Sequence, residues 1–151
     1  MRNKFLALVA TGALLAACEC APESVGVGSA PAPGSPEDFK ANVKDRVFFA
    51  FDKSKLSKES RHTLRAQAGW LKTYPNTKAM IEGHCDSRGT REYNLALGER
   101  RANHAARGLV HDGVSRDRLS TMSYGKDKQP VPDAQDEAAH AQNRVAITSI
   151  Q

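Results

Sequence analysis

Residues 83–102 read GHCDSRGTREYNLALGERRA, and this stretch decides both the fold and the place of its chemistry. Asp86 closes an apolar run with the spacing of a strand. Ser87, Arg88, Gly89 and Thr90 form a glycine-containing turn, and a helical pattern then begins. Within that helix Asn94, Gly98 and Arg101 fall at i, i+4 and i+7, which is one face. A carboxylate and a guanidinium are therefore expected on two rigid elements either side of a short turn. Such a pair suits a small zwitterion, the acid taking an ammonium and the arginine fork taking a carboxylate. Read alone, the same pair also fits an ion pair that locks helix to sheet. The ligand reading has two further supports. An acid at the carboxyl end of a strand lies where open α/β sheets place ligand crevices. The turn offers backbone N–H groups beside a helix N-terminus.

Working outward, residues 47–51 read as a strand ending at Asp52. Ser57 is a candidate cap for a helix with Leu64, Ala68 and Leu71 on one face, and Pro75 stops that helix at about Tyr74. In a second strand, 79–86, Ala79, Ile81, Gly83 and Cys85 are expected to face one way and Met80, Glu82, His84 and Asp86 the other. The next helix spans about 91–112, with Gly113 as its stop. Residues 119–124 form a third strand. Pro130 and Pro132 mark a loop, Asp133 caps a short helix through about Ala141, and residues 143–150 make the last strand. The order β-α-β-α-β-α-β suggests a helix layer on one sheet, with right-handed crossovers between parallel strands.

The chain has 151 residues, which points to one domain with appendages. Aromatics make up only 6%, so aliphatic side chains must fill the core. Arg2 and Lys4 precede an apolar run, 5–17, that is too short for a membrane span of ~20 residues. Residues 1–17 read as a secretory signal. Without them the 22 basic residues fall to 20 against 17 acidic ones, a balance that carries no nucleic-acid footprint. Leu15-Ala16-Ala17-Cys18 resembles the lipobox of bacterial lipoproteins, in which the cysteine receives a diacylglycerol and the chain is cut before it. Pro22, Pro31, Pro33 and Pro36, interleaved with glycine, serine and alanine, make 18–42 a tether after that cysteine, with the globular domain at 43–151. Such a tether would span roughly 25 to 30 Å as a coil and up to about 80 Å stretched.

The wording EYNLALGERRA after Asp86 resembles the signature of the OmpA C-terminal-like domain, and within it the peptidoglycan-associated lipoprotein branch. The resemblance implies an α/β two-layer sandwich with helices packed on one mixed sheet. It implies no cofactor and no catalysis. The ligand would be the diaminopimelate of peptidoglycan stems, with Asp86 accepting its ammonium and Arg101 clamping its carboxylate. Asn94, Leu97, Gly89 and Thr90 would line that site. Phe51-Asp52 resembles the FD that borders the family's pocket, although a core aromatic and a turn acid would look the same. Asn143-Arg144 resembles the family's NRR, with Val145 in place of the second arginine, so Arg144 alone is carried over. The implied partners are peptidoglycan, the outer membrane through a lipid on Cys18, and TolB and other Tol proteins. Glu19 is not the aspartate that retains many lipoproteins in the inner membrane.

Other chemistries fit the sequence less well. His84, Cys85 and Asp86 are consecutive, and successive strand residues diverge, so they make a poor metal set or nucleophilic dyad. Cys85 reads as a small, partly buried packing residue. His104 and His111 lie seven apart on one helix face without an acid or cysteine at metal spacing. A wall hydrolase of glycosidase type needs two carboxylates across the scissile bond, for which only Glu82 and Asp86 offer themselves. A stator-like wall anchor needs a lasting transmembrane helix, and the only apolar run is short and followed by the lipobox.

Overall fold

The computed structural model describes residues 30–151. The signal segment, Cys18 and Cys20 lie outside that range, as does the tether up to residue 29. The first described element is a helix, α1 (Pro36–Asn42), in a stretch expected to belong to the tether. Ser35 caps it by accepting a hydrogen bond from the Asp38 N–H at 3.1 Å, and Pro36 opens its first turn. Ser-Pro-Glu-Asp is itself a helix-start signature, which the surrounding proline-rich composition masks. Phe39 of α1 is buried against the Trp70 ring at 4.9 Å, and the Trp70 indole N–H donates to Asp38 at 2.9 Å. The packed region therefore starts near Ser35 and not at residue 43.

The strands are β1 (Arg46–Phe48), β2 (Ala79–His84), β3 (Leu119–Gly125) and β4 (Val145–Ile150). They form one mixed sheet in the order β1-β4-β2-β3, with β2 and β3 parallel and the other neighbours antiparallel. Helices α2 (Lys58–Thr73) and α3 (Arg91–His111) pack together on one face, and α4 (Glu137–Asn143) connects β3 to β4. This is the expected two-layer α/β sandwich. Leu64, Ala68 and Leu71 of α2 meet Ala105 and Leu109 of α3 over Val47, Ile81 and Ala146 of the sheet. Ser57 caps α2, as its position suggests, accepting from the Ser60 N–H at 3.0 Å, and Tyr74 ends that helix before Pro75. Gly113 follows α3 at φ +97°, where an L side chain is strained.

Several boundaries differ from expectation for local reasons. β1 is short because Asp52 sits in the left-handed region (φ 55°) and residues 50–53 turn away from the sheet. The register between β2 and β3 shifts after Gly83, where His84 pairs with Gly125 and Tyr124 is the extra residue, in β3. Cys85 and Asp86 lie past the end of β2, where strand alternation no longer applies, and both are buried toward the start of α3, not on opposite faces as expected. The cap of α4 is Asp136, which accepts from the Ala139 N–H at 2.7 Å, while Asp133 (φ 52°) forms a turn. Asn143 completes α4 and Val145 starts β4, where the valine is fully buried beside Phe48.

One contact sets the geometry of the site. A Cβ on Gly83 would lie 1.9 Å from the Gly98 carbonyl oxygen, so α3 rests directly on β2 backbone. That approach brings Asp86, just past the end of β2, level with the first turns of α3 that carry Asn94, Leu97 and Arg101.

Candidate functional site

At the carboxyl end of β2 an open cavity of about 220 Å³ lies between the turn after β1, the turn after β2 and the start of α3. It brings together Phe51, Asp52, Asp86, Gly89, Asn94, Leu97, Arg101 and Arg144. Thr90, expected to line the site, instead caps α3 by accepting from the Tyr93 N–H at 3.2 Å. Three lining residues escaped the sequence reading: Cys85, Arg88 and Tyr93. Arg88 stands two residues past Asp86 in the turn, a spacing that lets an arginine fold back on its own acid, and Tyr93 is part of the EYN wording already singled out.

Asp86 is buried and holds two guanidiniums. Arg88 Nη2 donates to its Oδ2 at 2.5 Å and Arg144 Nη1 to the same oxygen at 3.2 Å. Glu137 of α4 closes the set, 3.2 Å from Arg88 Nη1 and 2.8 Å from Arg144 Nη2. Burial pushes the Asp86 carboxyl up, but the hydrogen bonds from Arg88 and Arg144 outweigh it and hold the group below the usual carboxylate range. Arg144 thus has a defined role without the second arginine of the family pattern. Its Nε also donates to the Phe49 carbonyl at 3.2 Å, fixing β1 to the start of β4.

Arg101 is placed differently from the simple opposed pair. Its side chain is 1% exposed, and its fork donates to backbone carbonyls: Nε to Lys53 at 2.9 Å, Nη1 to His84 at 2.8 Å, Nη2 to Ala50 at a long 3.4 Å. Among the described residues no carboxylate comes within 4.0 Å of it. Burial lowers its proton affinity, though an arginine keeps its charge regardless. A buried cation facing an open cavity, hydrogen-bonded only to carbonyls and balanced at longer range by Asp86 and Asp52, can attract a ligand anion.

The rest of the wall orients these charges. Asn94 Nδ2 donates to the carbonyls of Arg88 (2.7 Å) and Thr90 (3.0 Å), so this residue fixes the turn. Gly89, at φ +90°, lets that turn close. The exposed Phe51 ring carries the Arg88 guanidinium 4.1 Å above it, and Asp52 at the rim accepts a hydrogen bond from the Tyr93 hydroxyl. The Cys85 thiol, 1% exposed, donates to the Asn94 carbonyl at 3.4 Å; burial pushes its pKa up to about 11, so it is no thiolate nucleophile.

Residues that an enzymatic reading would enlist lie elsewhere. Glu82 is on the uncovered sheet face beside Ser149 and His84, outside the cavity, so it makes no carboxylate pair with Asp86. His84 is buried, stacked on Tyr124, with Nδ1 against the Lys128 carbonyl at 2.7 Å. His104 reaches the Ser54 carbonyl and His111 stays exposed near Asp112. Among the described residues no group of His, Cys, Asp and Glu converges as a metal site, and no helix is long and apolar enough to cross a membrane.

The OmpA family model matches residues 48–144, which span the whole cavity wall. A peptidoglycan-associated lipoprotein of Agrobacterium fabrum is 50% identical over 123 residues, covering 82% of this chain and 68% of the relative. Another, from Mesorhizobium japonicum, is 43% identical over 153 residues, with 95% and 90% covered. The chain belongs to the peptidoglycan-associated lipoproteins of the OmpA family. The crystal structure of the peptidoglycan-associated lipoprotein from Burkholderia pseudomallei superposes with a TM-score of 0.69 at 38% identity, covering 79% of this chain and 96% of that one. Asp86 and Arg101 here line one open crevice without pairing with each other: Asp86 is paired with Arg88 and Arg144, and Arg101 with backbone carbonyls.

Proposed function

We propose that this cavity takes the far end of diaminopimelate in peptidoglycan stem peptides, and that the protein is a non-catalytic anchor between envelope and wall. The supporting observation is the charge arrangement. Arg101 is a buried cation without a carboxylate partner on a cavity whose rim adds Arg88 and Arg144, so the site attracts a ligand carboxylate. Asp86 and Asp52 supply acceptors for the ligand ammonium at the same opening. Leu97 and the Phe51 ring offer apolar surface to the methylene chain between them. The chemistry of Cys85, His84 and Glu82 speaks against hydrolysis, since none offers an activated nucleophile or an acid–base pair inside the cavity.

On this reading a lipid on Cys18 holds the chain in the outer membrane, the head on the periplasmic side grips the wall, and the Tol proteins, TolB first, are its partners in envelope upkeep during division. The test is sedimentation with purified sacculi. The wild-type protein should pellet without releasing soluble fragments. Asp86→Asn keeps the shape of the side chain and removes its charge, and it should leave most of the protein in the supernatant with the fold intact. Undiminished pelleting of that variant would refute the site, and soluble fragments would refute the non-catalytic role. Release of a Cys18→Ser variant from the membrane fraction tests the anchor.

A further inference from the structure

A second charged concavity, lined by other residues than the ligand cavity though its Arg100 also reaches the Tyr93 ring at 5.9 Å, lies where α3 overhangs β3. Arg100, Asn103 and Arg107 of α3 and Arg116 of the 3-10 turn (Arg116–Arg118) surround an open space of about 430 Å³. Arg91, near the start of the same helix, is matched by Asp127 at 2.7 Å. Among the described residues, none of the three guanidiniums here has a carboxylate within 4.0 Å. Arg116 is held in place by donating to the Leu119 carbonyl, and Asn103 Oδ1 faces the Thr121 hydroxyl at 3.5 Å. Three like charges converging without counter-ions repel one another, a cost that an anionic partner removes.

The neighbouring backbone points to the kind of partner. β3 is the outer strand of the sheet, hydrogen-bonded only to β2 on one side. Its sequence, LSTMSYG, contains no lysine, no proline and no charge, the devices that usually blunt an exposed edge. Arg100 and Arg107 are seven residues apart on the helix, about 10 Å along its axis. Charges that far apart are matched by a row of carboxylates more readily than by one small anion. Alternate side chains of an extended strand repeat every ~6.8 Å on one face.

We propose that this surface docks an extended acidic segment of a partner protein, which adds to the β3 edge as a strand and lays alternate carboxylates into the arginine groove. The inference is independent of the wall-binding site, since it uses none of its residues. The experiment is amide hydrogen exchange of the full chain at low ionic strength with an eight-residue peptide alternating glutamate with valine or threonine. Its glutamine counterpart is the control. The glutamate peptide should slow exchange in residues 119–125, and added salt should weaken it. Arg107→Glu, at a residue whose side chain makes no hydrogen bond among the described residues, should weaken binding about tenfold by removing one charge-assisted contact and adding a repulsion. Arg116→Glu should act likewise, and both variants should still pellet with sacculi. No protection at β3, equal binding of the glutamine peptide, or unchanged affinity in the Arg107 variant would overturn the proposal. So would arginine-dependent binding to phosphatidylglycerol vesicles in the absence of peptide binding, which would assign the groove to a membrane surface.

Discussion

Asp86 carries more than one duty. Two arginines converge on it, so truncating it leaves the buried Arg144 with only Glu137 and the Phe49 carbonyl as partners, as well as removing the ligand acceptor. Asp86→Ala is expected to cost about 2 to 3 kcal/mol of stability, less than the usual penalty for an uncompensated buried charge because Glu137 still pairs with both arginines, and thermal unfolding checks it. That is why Asp86→Asn is the better probe of binding. Arg101 has a similar double role. Its three carbonyl bonds tie the turn after β1 and the end of β2 to α3, so Arg101→Lys, which keeps the charge but not the fork, should both melt earlier and pellet poorly with sacculi. The sequence makes the importance of both residues legible, because their spacing across a strand, turn and helix can be read directly. It does not reveal that Arg88 and Arg144 would take the acid while Arg101 takes carbonyls. That partition depends on the turn after β1 and on Glu137, segments 33 or more residues away from Asp86 on either side, which no local pattern places.

Among the elements, the seating of α3 on β2 is the most exacting. The contact between Gly83 and Gly98 leaves no room for a methyl group from either side: a Cβ on Gly98 would lie 2.4 Å from Ser123 Oγ and 2.9 Å from the Gly83 carbonyl. Gly83→Ala should therefore force the two elements apart. A loss of several kcal/mol is expected from overpacking against backbone that cannot shift, at or above the ~1–3 kcal/mol typical of cores. Weakened sacculus binding should accompany it, read by the unfolding midpoint and by pelleting together. The helix faces and their stops at Tyr74 and Gly113 are legible from periodicity, capping residues and glycine. The shift after Gly83 is not, because alternation carries no mark of a bulge. Helix α1 was hidden for a compositional reason, four prolines and neighbouring glycines outweighing a short cap signal. Its docking rests on few contacts, so Trp70→Phe, which deletes the hydrogen bond to Asp38, should lower stability by roughly 1.5 to 3 kcal/mol. Amide exchange across residues 36–42 should quicken while sacculus binding stays unchanged.

On the scale of the molecule, α1 and the cavity occupy opposite ends of α2. The helix runs from Lys58, just after the turn that borders the cavity, to Thr73, beside the Trp70 and Tyr74 rings that hold α1, a length of about 24 Å. A chain entering at α1 would thus meet the domain at the pole away from the wall ligand. With the packed region starting near Ser35, residues 19–34 have a fully extended reach of about 55 Å, shorter than a tether to residue 42 would give. Acid should loosen the whole fold through His84. Burial lowers the pKa of this imidazole below its ordinary 6.5, against opposing effects of the Lys128 carbonyl and Glu82, so the folded state favours the neutral ring. The unfolded chain then binds the extra proton first. The stability that depends on a neutral His84 is present above about pH 6.5 and is lost as pH falls toward the depressed folded value. The unfolding midpoint should fall between pH 7 and pH 5, and His84→Gln should flatten that slope. The central claim, that a buried arginine beside an open cavity awaits the second carboxylate of diaminopimelate, is tested most directly by calorimetric titration of the protein with a muropeptide containing diaminopimelate and with one containing lysine. Binding of the first, with the second weaker by about tenfold or more for want of one charge-assisted contact, is the expected result; equal affinity for the two would contradict it.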